Sequence, residues 1–199
     1  MIDTNHLCPG CMGAWEDTTL PCPRCGFAWE ALPESGRELE PFSILGGKYL
    51  LGVKIGAGGF GITYIAMDLE REETMAVKEF FPVSLAERVG DQVVPLSGEE
   101  GLPFRTACKG FRREAALLAR LAGIEGIVPY RDFLEENGTA YLVMDYIEGI
   151  NVKQYMRQSG SVFSEDDALS KMRPILAAVE QMHRKGILHR DISPENLIL

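Results

Sequence analysis

Cys8, Cys11, Cys22 and Cys25 place four thiols within eighteen residues, as C-x2-C, a gap of ten, and a second C-x2-C. Two residues between thiolates let a tight turn aim both sulfurs at one point, and two such turns make a tetrahedral four-cysteine zinc site. In the second turn, CPRCG, Pro23 stiffens the backbone and Gly26 is free to take a positive φ while NH groups approach sulfur. A segment of about 30 residues cannot build a sufficient core alone, so metal would supply its folding energy. The alternatives are two disulfides or a redox pair, and disulfides are disfavoured in a cytosolic chain. A catalytic zinc would want an open position and usually a histidine. Four thiolates need no fifth ligand, so His6 reads as solvated, and Trp15 and Trp29 as cover for the metal core. Cys108 stands apart and reads as a semi-buried core thiol.

A second constellation begins at Gly56, Gly58 and Gly61, which fit G-x-G-x-x-G. That pattern suits backbone NH groups approaching phosphate oxygens, and a dinucleotide fingerprint shares it. The dinucleotide version needs a helix after the third glycine. Here ITYIAM follows, β-branched and aromatic, which favours a strand and hence a hairpin flap over phosphates. Phe60 at the tip reads as a phosphate cap or a solvent-exposed aromatic. In TMAVKEFF, Lys78 lies on the same strand face as Ala76. An inward lysine is costly unless paired. Its expected partner is Glu114, because Phe111, Glu114, Leu117, Leu118 and Leu121 share one helical face, and a carboxylate inside that stripe invites a buried cation. Arg112 and Arg113 lie off the stripe and read as solvated.

The elements that must position these groups follow from composition and punctuation. The chain has 199 residues, 46% of them apolar, enough for one ordinary domain plus a small module. The net charge of −9 argues against a nucleic-acid binder. Within the cysteine module, Asp3, Glu16, Asp17 and Glu30 face Arg24 alone, which favours a protein partner there over nucleic acid. No apolar run approaches the roughly 18–20 residues of a membrane span, and no signal peptide is expected at the start, so the expected compartment is cytoplasmic. The organisation reads as a four-cysteine zinc ribbon over 1–30, a moderately flexible linker over 31–47, and one further domain over 48–199. FLEENGTAYLVMDYIEG predicts a hairpin turning at Asn137-Gly138, its second strand leading onward to a site, or else the segment is simply an edge strand. SEDDALSKMRPILAAVEQMHRKG predicts a long helix, capped by Ser164 with Asp167, stopped by Gly186, and kinked or broken at Pro174.

In this order GAGGFG, the lysine of A-V-K, a helical glutamate and HRDISPEN resemble the motifs of a eukaryotic-type protein kinase, of the kind also found in bacteria, from about Tyr49 to Leu199. The resemblance implies an α+β fold: a protein-kinase-like small lobe of antiparallel sheet plus C-helix, and a partial helical large lobe. It implies ATP and magnesium as cofactors beside the structural zinc, and a protein substrate bearing Ser/Thr hydroxyls. Carried over to this chain, the backbone of Gly56, Ala57, Gly58, Gly59, Phe60 and Gly61 would cover the phosphates, Thr63 would keep an adenine contact, and Ile55 and Ala76 would join the nucleotide-binding set. Lys78 would contact the α- and β-phosphates and be held by Glu114. Asp191 would orient the substrate hydroxyl and accept its proton, and Asn196 would hold magnesium. Met144 would be the gatekeeper and Asp145 to Ile147 the hinge. His189, Arg190 and His183 read as structural.

Four departures qualify the resemblance. Thr63 stands where valine is usual. PVSLAERVGDQVVPLSGEEGLPFRTACKG separates Lys78 from the helix of Glu114, as an insertion that packs on the small lobe or regulates that helix. Ser193 replaces the lysine that usually steadies the γ-phosphate, which leaves Ser/Thr specificity less secure. The sequence also contains no D-F-G, activation segment or A-P-E. The expectation is a fragment of a longer coding sequence, inactive by itself and poorly soluble through an exposed apolar helix face. Two other classes compete. One is a zinc-ribbon interaction protein with a nucleotide-binding pseudokinase half-domain. The other is a small-molecule phosphotransferase, against which the glycine loop and Arg190 count.

Overall fold

The β-branched and aromatic residues between Tyr49 and Phe80 alternate about glycines, and they fold as an antiparallel ladder rather than a strand–helix unit. The computed structural model describes residues 4–32, 36–96, 101–160 and 162–199. Asp3, residues 33–35 of the linker and residues 97–100 of the insertion lie outside them. Two compact units are present: Met1–Ala116 with Tyr130–Tyr146, and Leu117–Pro129 with Ile147–Leu199.

The first unit is built on β1 (Ile44–Leu45), β2 (Tyr49–Gly58), β3 (Gly61–Asp68), β4 (Glu73–Phe80), β7 (Tyr130–Glu136) and β8 (Thr139–Asp145), with β5 (Ala86–Val89) and β6 (Gln92–Pro95) forming a separate two-stranded sheet. The main sheet runs β1-β2-β3-β4-β8-β7, antiparallel throughout. Asn137 (φ 53°) and Gly138 (φ 70°) make the β7–β8 turn as their sequence predicts. The edge-strand alternative for this segment holds for β7, which ends the sheet, and not for β8, which lies between β4 and β7 and is buried along most of its length.

Cross-strand partners project to the same face. Thr63 pairs with Lys78 and Ile65 with Ala76, so one face carries Thr63, Ile65, Ala76, Lys78 and Phe80. The other carries Tyr64, Val77, Glu79 and Tyr141. On the first face Phe80 packs against Phe104 and Phe111 of α1 (Leu102–Arg120), with ring centroids 5.3 and 5.4 Å apart. The helix starts nine residues before Phe111, taking LPFRTACKG out of the expected insertion. The physical reason is Phe104, two turns ahead of Phe111, which extends the apolar stripe onto Phe80.

Residues 86–95 of the insertion form the β5–β6 hairpin, fixed to the second face through Arg88. Val93 donates its NH to the Asn137 carbonyl at 2.8 Å, and Arg88 reaches Glu79. Residues 36–45 are likewise fastened across the sheet rather than loose: the Leu39 NH donates to the Tyr64 hydroxyl at 3.1 Å, and Lys54 pairs with Glu38.

The second unit contains α2 (Val152–Ser159) and α3 (Glu165–Arg184). Asn151 and Gln154 make a reciprocal capping box at α2. Ser164 caps α3, accepting from the Asp167 NH at 3.2 Å, and Gly186 (φ 71°) ends it, with the Ile187 NH returning to the Met182 carbonyl at 3.0 Å. The helix is continuous through Pro174, which corrects the expected break. Ala178 and Met182 hold it to Leu121, Ile124 and Ile187, so this one face is anchored enough to carry the helix past the lost hydrogen bond. No helix among the described residues is long and apolar enough to cross a membrane.

Candidate functional site

The glycine hairpin closes between Gly58 and Gly61, with Gly59 and Phe60 at its tip. A Cβ at Gly56, Gly58 or Gly59 would meet nothing within 4 Å, so these positions leave open backbone. Gly61 is different: its Cβ would lie 2.2 Å from the Glu79 carbonyl oxygen, so close approach to β4 demands glycine there. The Phe60 carbonyl also accepts from the Phe81 NH at 3.2 Å, tying the tip to the end of β4. The Phe60 ring itself is 73% exposed. Ile55 and Ala57 sit on the strand leading to the tip, and Ile55 is exposed.

Lys78 Nζ lies 3.0 Å from Glu114 Oε1, so β4 and α1 bring the two expected partners together. Lys78 also lies 5.6 Å from the centre of the Phe111 ring. The expectation of a buried pair is corrected: the side chains are 31% and 50% exposed. Glu114 sits at the rim of the helix stripe, whose buried members are Phe104, Phe111 and Ala115. Arg112 and Arg113 are exposed, as expected, and Arg112 meets Glu135 at the surface. Ala76 is buried on the Lys78 face, and Met144 is its partner on β8. Asp145 follows Met144 on β8, and Ile147 is exposed in the second unit.

In that unit the HRDISPEN segment folds back on itself. The Asn196 amide nitrogen donates to the Asp191 backbone carbonyl at 3.0 Å and to its carboxylate at 2.9 Å. A short 3-10 turn, Pro194–Asn196, provides the reversal. Arg190 adopts φ 65°, a strained conformation for an arginine, and the Asp191 NH donates to His189 Nδ1 at 3.3 Å. Beyond the turn the chain pairs with residues 150–152: the Val152 NH donates to the Leu197 carbonyl at 2.8 Å and the Leu199 NH to that of Ile150 at 2.9 Å.

The four cysteine sulfurs lie within 4.8 Å of one another, with Cys8–Cys25 at 3.6 Å and Cys11–Cys22 at 3.9 Å. Tetrahedral thiolates at a Zn–S distance of about 2.3 Å would be about 3.8 Å apart, whereas a disulfide needs about 2.05 Å. The donor set therefore fits a metal. Gly26 takes φ 74°, and the Gly10 NH approaches Cys8 Sγ at 3.3 Å. Burial pushes the Cys8 thiol well up. At Cys22 burial also raises it, but the NH groups of Cys25 and Arg24 outweigh burial and draw it down to about 7. Trp15 is buried in this cluster, Trp29 stacks on it at 6.3 Å, and His6 is exposed.

A model of the protein kinase domain family matches residues 49–199. The chain belongs to the protein kinase family. It is 33% identical over 172 residues to calcium-dependent protein kinase 3 of Oryza sativa, covering 84% of this chain and 27% of that protein. It is 30% identical over 154 residues to serine/threonine-protein kinase B of Synechocystis, covering 77% and 25%. Among solved structures it resembles the apo form of PpkA-294 (TM-score 0.76, 34% identity, 80% of this chain and 57% of that one). It also resembles the Mycobacterium tuberculosis PknI kinase domain (TM-score 0.63, 25% identity, 81% and 57%). The chain thus spans about a quarter of these curated relatives' length.

Two features of this kinase chain escaped the sequence. Arg131 forms a two-point ion pair with Asp145 at the end of β8, its Nη2 3.1 Å from Oδ2. Only the register of β7 against β8 discloses it. Glu79, next to Lys78, is fully buried on the opposite face, and its partners come from three separate segments. The hydroxyls of Tyr64 and Tyr141 donate to it at 3.0 Å each, and Arg88 of the insertion donates at 2.5 Å. Arg88 also donates to the Arg37 carbonyl at 2.5 Å and lies 5.0 Å from the Phe81 ring. The available signal was an acid inside a strand, followed by a β-rich run, AERVGDQVVP, with Gly90-Asp91 at its turn.

Proposed function

We propose that this chain carries the nucleotide-holding and catalytic-loop portions of a protein kinase that transfers the γ-phosphoryl group of ATP to Ser/Thr hydroxyls. The Lys78–Glu114 ion pair carries the reading, because it stands on the sheet face that also presents Thr63 and Ala76, behind a glycine hairpin with open backbone. Lys78 would neutralise the α- and β-phosphates while Glu114 fixes its position. Asp191 would accept the hydroxyl proton. Asn196, whose amide nitrogen faces that carboxylate, would offer its amide oxygen as a hard donor to part of a magnesium shell that phosphate and water oxygens would complete. Asn196 also orients Asp191 through the hydrogen bond described above.

Residues 1–30 would form a structural four-thiolate zinc module, 31–47 the connection between the two, held to the sheet from residue 36 on, and 48–199 the kinase portion. The exposed ribbon surface around Leu20 would meet a protein partner. The protein would act in the cytoplasm on protein substrates.

The test is binding of a fluorescent ATP analogue with magnesium to the 199-residue chain, and phosphorylation of Ser/Thr peptides by it or by any longer protein that contains it. Lys78→Met should weaken nucleotide binding, and Asp191→Asn should abolish transfer with little change in nucleotide affinity. Full transfer by Asp191→Asn would sink the assignment. Nucleotide binding without transfer by either would favour the pseudokinase class instead.

A further inference from the structure

The first C-x2-C turn does more than aim two sulfurs. Its inner residue Pro9 presents a carbonyl to the Val53 NH of β2 at 2.8 Å, so the turn is hydrogen-bonded to the strand that leads into the glycine hairpin. Leu7 and Met12, flanking Cys8 and Cys11, form one buried cluster with Leu50, Ile65 and Met67, against which Val53 and Tyr146 also pack. A Cβ at Gly52 would stand 2.2 Å from the Pro9 oxygen and 2.4 Å from Met12 Cε, so glycine is what lets the turn seat. Ile65 and Met67 share their face with Thr63, and Ile65 pairs with Ala76. The cysteine turn therefore rests on the sheet face that carries Lys78, one strand pair from Ala76.

The turn is held in shape by the thiolate cluster. The Met12 NH donates to the Cys8 carbonyl and the Cys8 NH to the Gly13 carbonyl, each at 2.8 Å. Met12 is kept at φ 55°, a conformation a free methionine avoids. Without metal the four thiolates have no common centre, and the small aromatic cluster of Trp15 and Phe27 remains to hold the fold. Pro9, Met12 and the Val53 bond would then be lost together.

We propose that the metal-loaded ribbon is a clamp on β2, and that metal occupancy sets the nucleotide affinity of the kinase small lobe. Pro9, Met12 and Gly52 act as positioning residues. The inference rests on the zinc and nucleotide readings above. Its test uses the 199-residue chain with zinc, followed by metal analysis, amide hydrogen exchange and titration with a fluorescent magnesium–ATP analogue. Zinc removal by a chelator, or Cys25→Ser, should speed exchange at Val53 and weaken the analogue on the order of tenfold, within the usual range of coupling between sites. Met12→Ala and Gly52→Leu should do the same with zinc still bound. Unchanged Val53 exchange after metal loss overturns the clamp. Faster exchange with unchanged affinity overturns the control of nucleotide binding, as does a zinc-loaded chain that binds no analogue. If the protein takes up no zinc, the metal reading fails by itself. Met12→Ala then decides the clamp, supported by weaker analogue binding and overturned by none.

Discussion

Lys78 and Glu79 are neighbours on β4, and each forms an ion pair, yet the pairs have opposite characters. Lys78–Glu114 is part-exposed, 31% and 50%, and joins one strand to one helix. Glu79–Arg88 is 0% and 4% exposed and joins the sheet, the insertion and the segment near Arg37. A surface pair contributes little to stability, because water screens it and both side chains lose freedom. Such a pair can open and close at low cost, which suits groups that must receive a ligand. A buried pair gains little net energy when intact, but removing one partner strands a charge. Glu79 therefore acts as a fastening for the insertion, while the pair at Lys78 suits the working role proposed above, although one peptide bond separates them.

The comparison is broken most directly at Arg88. Arg88→Met should cost about 3–5 kcal/mol in urea unfolding of the small lobe, because Glu79 loses its buried cation. Glu79→Leu with Arg88→Met should recover much of that loss. A cost under about 1 kcal/mol for Arg88→Met would place Glu79 with the surface pairs.

Alkaline titration sharpens it next. Burial, and then the Glu79 charge, push the hydroxyls of Tyr64 and Tyr141 well above the ordinary tyrosine range. The folded state thus holds these protons more tightly than the unfolded chain, whose tyrosines titrate near about pH 10. Their contribution to stability is constant below that pH and falls as pH rises past it. Unfolding midpoints measured from pH 8 upward should drop above pH 10, and Tyr64→Phe with Tyr141→Phe should flatten the drop.

The smallest stability effect belongs to the pair nearest the proposed chemistry. Lys78→Met or Glu114→Gln should change unfolding free energy by less than about 1 kcal/mol, while weakening the ATP analogue severalfold. Thermal melts and analogue titrations on the same preparations separate the two quantities. A large stability loss would make Lys78–Glu114 a fastening like its neighbour.

Much of the candidate site was readable because its signals are local. Cysteine spacing, the glycine pattern, Asn137-Gly138, Ser164 and Gly186 each act through a few adjacent residues. Lys78 with Glu114 was readable at longer range, because a strand face and a helix stripe each singled out one charge. The burial of that pair was misjudged, since a stripe says which residues align and not where its rim meets water. The start of α1 was missed because LPFRTACKG contains proline and glycine, and only Phe80 across the space reveals what Phe104 is for. Glu79 lies on the strand face opposite Lys78, and alternation along a strand does not say what covers that face. Here Leu39, Tyr64 and Arg88 cover that face.

By itself the sequence determined the residue types of each site, the hairpins, the helix stops and a metal-competent set of thiols, since these depend on chemistry and spacing within short segments. Only the tertiary structure decided that the insertion is a hairpin locked to Glu79, that Arg131 meets Asp145, and that the cysteine turn sits on β2 beside the face of Lys78. Those outcomes depend on which distant surfaces exclude water from one another, and no local pattern encodes that choice.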